Sequence, residues 1–215
     1  MRDTSKDTGT LGDMAIHPAP SGGSQSVAIG RVETTAKDRL FLGVFPDRKA
    51  QQTIGDIAQG FLREHGMRAT PQHASRLHVT VHHLGDYAEL RPGIIDAALL
   101  AMAQIQTAGW NIVLDRITGF SGQPRHHPIV LHCASKGAHA LWRESRDLFE
   151  AEGFSRWLAQ SYTPHLTLFY GDRPPPPIPI PIRPILWPVR EVVLVHSLLG
   201  KSEYRFLGSR ELPEA

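Results

Sequence analysis

Leu77-His78-Val79-Thr80-Val81-His82-His83-Leu84 has an echo 87 residues later in Thr163-Pro164-His165-Leu166-Thr167-Leu168-Phe169-Tyr170. Each stretch carries His-x-Thr with an aliphatic residue between the two and another after the Thr. The chain holds 12 His, 12 Thr and 47 Val, Leu or Ile in 215 residues. Independent placement would give about 0.03 copies of the aliphatic form, so two copies are a signal. Alternation of this kind predicts a strand in which side chains two apart share a face about 6.6 Å from one another. His78 with Thr80, and His165 with Thr167, then look into one space, while Val79, Val81, Leu166 and Leu168 point into a core. An imidazole titrates near neutrality and serves as base or acid, and a Thr hydroxyl donates to a phosphate oxygen. By the same alternation His82 continues the face of His78, too far along the strand to share a ligand with it, and reads as structural or rim.

Working outward, residues 1–36 are rich in Thr, Ser, Gly and Asp without sustained periodicity, and read as a disordered leader before a domain spanning 37–215. The predicted order within that domain is a strand over 39–45, a helix from Pro46-Asp47 to about His65, and the first motif strand over 77–84. A helix from about Pro92 to Thr107 follows, then a hairpin of strands over 110–117 and 129–133, a helix from about Gly137 to Glu152, and the second motif strand over 162–170. Residues 174–188 contain eight of the 17 prolines and read as an extended loop with few backbone donors. Two further strands, 191–199 and 204–207, close the chain. Hairpins interleaved with helices argue for an α+β architecture of mostly antiparallel sheets with outer helices.

Composition narrows the function. With 23 Lys plus Arg against 21 Asp plus Glu the net charge is only +2, below what a duplex-DNA binder carries. Cys133 stands alone, which excludes an internal disulfide and a cysteine-based zinc site, and reads as a buried thiol. No His-Glu-x-x-His pattern supports a zinc hydrolase. No stretch has the apolar length of a signal peptide or a membrane span, so a soluble cytoplasmic protein with no membrane partner is expected.

Taken together, Arg39-Leu40-Phe41, Leu77-His78-Val79-Thr80-Val81 with Leu84-Gly85-Asp86, Thr163-Pro164-His165-Leu166-Thr167-Leu168 and Glu191 through Leu198 resemble the two-histidine phosphoesterase superfamily. The branch is that of 2′-5′ RNA ligases and RNA 2′,3′-cyclic phosphodiesterases. The resemblance covers about residues 39–212. It implies a bilobal fold with one motif strand per lobe, a central cleft holding a phosphate, and neither metal nor cofactor. It further implies that His165 activates water, His78 protonates the departing ribose oxygen, and Thr80 and Thr167 hold nonbridging oxygens. The implied substrate is an RNA or nucleotide end with a 2′,3′-cyclic phosphate, opened to the 2′-phosphate by a monomer. Ligation at the same site and an RNA-end-binding module with little turnover are the alternatives. Arg76, Arg125 and Phe45 are the candidate substrate contacts: two cations for RNA phosphate and a ring to stack a base. Trp142 and Trp157 are expected to pack near the third helix.

Overall fold

Period-two strands and amphipathic helices build one sheet covered by three helices. In the computed structural model, which describes residues 36–123 and 125–214, eight strands run in the order β6-β3-β4-β5-β2-β1-β7-β8 with every pairing antiparallel. They are β1 Asp38–Val44, β2 Val79–Tyr87, β3 Trp110–Gly119, β4 His127–Cys133, β5 His165–Gly171, β6 Ile180–Val189, β7 Glu191–Leu198 and β8 Glu203–Glu211. The expected leader, apart from residue 36, lies outside the described residues.

The sheet is two four-stranded halves joined by a single residue pair, Val79 with Leu166, between β2 and β5. The two expected sheets are therefore one sheet at its narrowest possible seam. Val79 and Leu166 are fully buried, as are Leu40, Leu42, Leu114, Leu131 and Leu194 from both halves, so one continuous core spans the seam. Burying each such side chain contributes about 1.5–3 kcal/mol.

Helices α1 Arg48–Glu64, α2 Pro92–Ala103 and α3 Lys136–Ala151 lie over this core. Asp47 caps α1 by accepting from the Ala50 amide at 2.8 Å, and Ala50, Ile54, Ala58 and Phe61 form its buried stripe. Pro92 opens α2 at a position where its missing N–H costs nothing. The α2 helix ends four residues before the expected Thr107, because the carboxylate of Glu144 on α3 accepts from the Gln106 and Thr107 amides at 2.7 and 2.8 Å. Those two donors are held by a side chain rather than by another helical turn. Cys133 is 1% exposed, and burial pushes its thiol up to about 12.

The proline-rich stretch departs from its reading as a loop, since Ile180–Val189 is β6 and pairs with β3. An edge strand bonds on one side only, so Pro181, Pro184 and Pro188 can sit where no donor is needed. Ile185, Trp187 and Val189 alternate inward while Leu186 and Pro188 stay exposed. Prolines on the outer rim also block edge-to-edge pairing with other chains.

His82 is 2% exposed, with Nε2 donating to the Trp142 carbonyl at 3.1 Å and lying 3.0 Å from Ser145 Oγ. Burial lowers its pKa to about 4, partly opposed by the bond to Trp142. The unfolded chain, titrating near 6.5, takes up the proton first as pH falls. This contribution to stability is complete above pH 6.5 and is lost as pH falls to about 4, a change of up to about 3 kcal/mol. Urea unfolding at pH 6.5 and pH 4.5 is expected to show a smaller difference in His82→Phe than in the natural chain; equal differences would contradict the role given to His82.

Candidate active site

Alternation sends the residues flanking the seam to the face opposite the core. His78 and Thr80 flank Val79, His165 and Thr167 flank Leu166, and all four line a cleft of about 540 Å³. Because the strands are antiparallel, the two His-x-Thr units are related by an approximate two-fold turn about the seam. Each imidazole thus lies across from the other strand's hydroxyl.

Both rings are anchored the same way. His78 Nδ1 lies 2.7 Å from the Arg76 carbonyl, and His165 Nδ1 lies 2.7 Å from the Thr163 carbonyl, each two residues upstream. A carbonyl can only accept, so Nδ1 carries the proton and Nε2 is left with its lone pair for the cleft. Phe41, Phe45 and Tyr204 surround the His78 ring with centroids 4.8, 5.7 and 5.6 Å away. Phe120 meets His165 edge-on at 4.8 Å.

These surroundings disfavour the charged form. Burial lowers His78 to about 4, with the Arg76 carbonyl opposing and the charge of His165 adding to the fall. Burial also lowers His165, opposed by the Thr163 carbonyl and assisted by His132, its cross-strand partner on β4. At neutral pH the two motif strands therefore offer the cleft two neutral imidazoles with fixed tautomers.

Register decides what else reaches the cleft. On β1, Leu42 and Gly43 are adjacent, yet they pair with His82 and Thr80, which leaves Val81 as a bulge. On β4, Ile129 and Val130 pair with Phe169 and Thr167, which leaves Leu168 as a bulge at the same place in the second motif. One extra residue reverses the alternation. His82 and Phe169 consequently turn into the core, while His83 and Tyr170 enter the cleft. The expectation that His82 continues the face of His78 is corrected by this bulge.

His83 Nε2 donates to Asp86 Oδ1 at 3.0 Å, and Arg39 holds the same carboxylate through Nε at 2.7 Å and Nη2 at 2.8 Å. The Asp86 side chain is 2% exposed and that of Arg39 is 40% exposed. Burial pushes the Asp86 carboxyl up, but the bonds from Arg39 and His83 outweigh it and the net shift is downward. Gly85 beside it has φ +133, and a Cβ there would collide with the Tyr87 hydroxyl, so this turn of the motif requires glycine.

Of the expected substrate contacts, Arg76 lines the cleft with its guanidinium 5.0 Å from the Tyr204 ring centroid and its buried Nε without a protein partner. Phe45 does not line the cleft; it packs between His78 and Phe206. Arg125 is exposed at φ +61 on the β3–β4 loop, outside the cleft lining. Trp142 and Trp157 both pack against the core as expected, and Trp157 also lines the cleft, brought there by a short 3-10 turn over Ser155–Trp157. Tyr204, Arg39 and His83 were missed as cleft residues, because each reaches it from a strand or register that spacing alone does not bring together. Among the described residues no group of three or more His, Cys, Asp or Glu gathers as a metal site, and no helix is long and apolar enough to cross a membrane.

A profile of the 2′-5′ RNA ligase superfamily matches residues 28–200, which includes both His-x-Thr strands. The chain belongs to the 2′-5′ RNA ligase superfamily. Within that superfamily, Escherichia coli LigT in apo form shares 21% identity over 83% of this chain and 99% of its own, with a TM-score of 0.64. TT0787 of Thermus thermophilus shares 23% over 82% and 98%, also with a TM-score of 0.64. LigT complexed with 3′-AMP gives 20%, 83%, 99% and 0.62. At these identities the likeness establishes a common α+β fold. None of the curated proteins compared with the sequence matches it.

Membership makes this a phosphoesterase-type chain, and the anchored rings make a measurable claim about it. Imidazole ¹⁵N spectra across pH 3–8 are expected to show the neutral rings of His78 and His165 as Nδ1–H tautomers, with His78 still neutral at pH 5. Titration of His78 at or above 6.5, or a dominant Nε2–H form, would contradict the anchoring.

Proposed function

We propose that this chain is a metal-independent phosphodiesterase that opens a 2′,3′-cyclic phosphate at an RNA or nucleotide end to the 2′-phosphate. The observation carrying this reading is the pair of imidazoles with Nδ1 tied to backbone and Nε2 left for one shared cleft, each with a Thr hydroxyl beside it. In-line opening needs a base on one side of phosphorus and an acid on the other. His165 Nε2 takes a proton from water as its oxygen bonds to phosphorus. The bond from phosphorus to O3′ breaks, and O3′ takes the proton from His78 Nε2, leaving a 3′-hydroxyl and a 2′-phosphate. Thr80 and Thr167 donate to the nonbridging oxygens, each worth about 2–4 kcal/mol in the transition state by analogy with other oxyanion donors. Arg76, beside Tyr204, adds positive charge at the mouth. The complexes of LigT with 3′-AMP and with phosphate support a nucleotide phosphate as the ligand of this fold.

The acid must be protonated, yet burial lowers the pKa of His78 to about 4. An entering phosphate anion supplies the opposite charge that favours imidazolium, so substrate binding raises both pKa values. The bell of kcat/KM, which reports the free protein, is expected to lie on the acidic side of pH 6.5. That of kcat, which reports the complex, should lie at higher pH. A kcat bell at lower pH than the kcat/KM bell would contradict this coupling.

The direct assay is hydrolysis of a nucleoside 2′,3′-cyclic phosphate in EDTA, with the product identified as the 2′-phosphate. His78→Ala and His165→Ala are each expected to lower kcat by about 10²–10⁴-fold, and Thr80→Val or Thr167→Val by about 10²-fold. Turnover abolished by chelator and restored by zinc would overturn the proposal, as would near-natural rates in both histidine variants.

A further inference from the structure

His83 is the cleft histidine that the reaction above does not use, and the bulge at Val81 aims it there. Its partner on β1 is Phe41, two residues from Gly43, the partner of Thr80. Two strand residues span about 6.6 Å, so His83 sits one such step from the phosphate-holding hydroxyl. That step is comparable to the separation of neighbouring phosphorus atoms along a nucleotide chain.

The chemistry gathered at this end of the cleft is cationic. Arg39 Nε and His83 Nε2 share Asp86 Oδ1, and Arg39 Nη2 donates to Oδ2 of the same carboxylate. Nη1 of Arg39 remains to donate to a ligand; burial lowers His83, opposed by Asp86, so its Nδ1 becomes a donor only when a bound anion draws a second proton onto the ring. The indole of Trp157 meets the His83 ring edge-on at 5.4 Å and lies under the Arg156 guanidinium at 4.5 Å, so one side chain positions both groups. Arg156 is exposed and makes no ion pair among the described residues. This end of the cleft thus holds two guanidiniums, of Arg39 and Arg156, and a single carboxylate, Asp86, whose side chain is 2% exposed. None of the residues lining the cleft is acidic, so the excess positive charge has no counterpart there among the described residues.

We propose that Arg39, His83 and Arg156 form a second anion subsite that takes the 5′-phosphate of the substrate's terminal nucleotide, or the phosphodiester at the same place in RNA. The inference rests on the cyclic-phosphate reading and deepens it: the preferred substrate is a nucleotide or RNA end rather than a bare nucleoside cyclic phosphate. Asp86 acts as the positioning group, fixing the two inner donors in register with the reacting phosphate.

Binding of two product-like ligands tests this without relying on turnover. By titration calorimetry at pH 7, adenosine 2′,5′-bisphosphate is expected to bind about tenfold or more tightly than adenosine 2′-phosphate. That ratio should fall to within about twofold in Arg156→Ala, an exposed substitution that leaves the fold intact, and in His83→Phe. Equal affinity for the two ligands in the natural chain, or a ratio unchanged in both variants, would overturn the second subsite and leave the hydrolysis reading standing. Failure of both ligands to bind would overturn the reading beneath it as well.

Discussion

One main-chain pairing, Val79 with Leu166, carries the architecture of the cleft. A longer ladder between β2 and β5 would flatten the seam and close the space above it. None forms, because each strand bulges one residue past its Thr, at Val81 and Leu168. Bulges bend a strand and increase its twist, so the two halves part on either side of a shared point. The reactive face exists only where the strands touch, and that is where the His-x-Thr units lie. Below the seam the two halves keep one core, with Leu40, Leu131, Leu166 and Leu194 all inaccessible, so the separation on one face costs no continuity on the other.

The electrostatics follow from that geometry. Rings packed among Phe41, Phe45, Tyr204 and Phe120 lose water, which holds them neutral. The carbonyls of Arg76 and Thr163 fix the tautomer that directs Nε2 into the cleft. A site so prepared spends little on reorganisation when charge develops on phosphorus, which is where preorganised donors gain most. In the proposed reaction the same desolvation makes the bound anion the switch that permits protonation, so acid and base character would arise together with the substrate. Asp86 shows the complementary strategy. It is a buried carboxylate kept ionised by two donors, and it orients cations that would otherwise be loosely held.

Much of this was legible because two physical regularities act over short range. Period-two alternation exposed both His-x-Thr units and the strands around them, and the α1 start at Asp47 and its end near Gly66 followed from capping chemistry. What escaped was long range. The reversal at Val81 and Leu168 depends on the strands across the ladder, so spacing set His82 on the face of His78, as structural or rim, when the residue on that face is His83. Arg39 and Asp86 both stood in motifs that drew attention, but 47 residues separate them and only the β1–β2 register makes them a clamp. Composition misled at β6, where eight prolines masked the inward alternation of Ile185, Trp187 and Val189 that an edge strand tolerates. Trp157 packs as expected, but its place in the cleft gave no signal because the turn that delivers it there is only three residues long.

The central claim is that two imidazoles from separate halves of the sheet address one phosphorus atom. A crystal structure of the protein with phosphate or vanadate bound tests it most directly. The account predicts the anion above the Val79–Leu166 pair, with Nε2 of His78 and Nε2 of His165 each within hydrogen-bond distance on opposite sides and the Thr80 and Thr167 hydroxyls on the remaining oxygens. An anion held by only one of the two rings, or lodged elsewhere while the cleft stays empty, would contradict it.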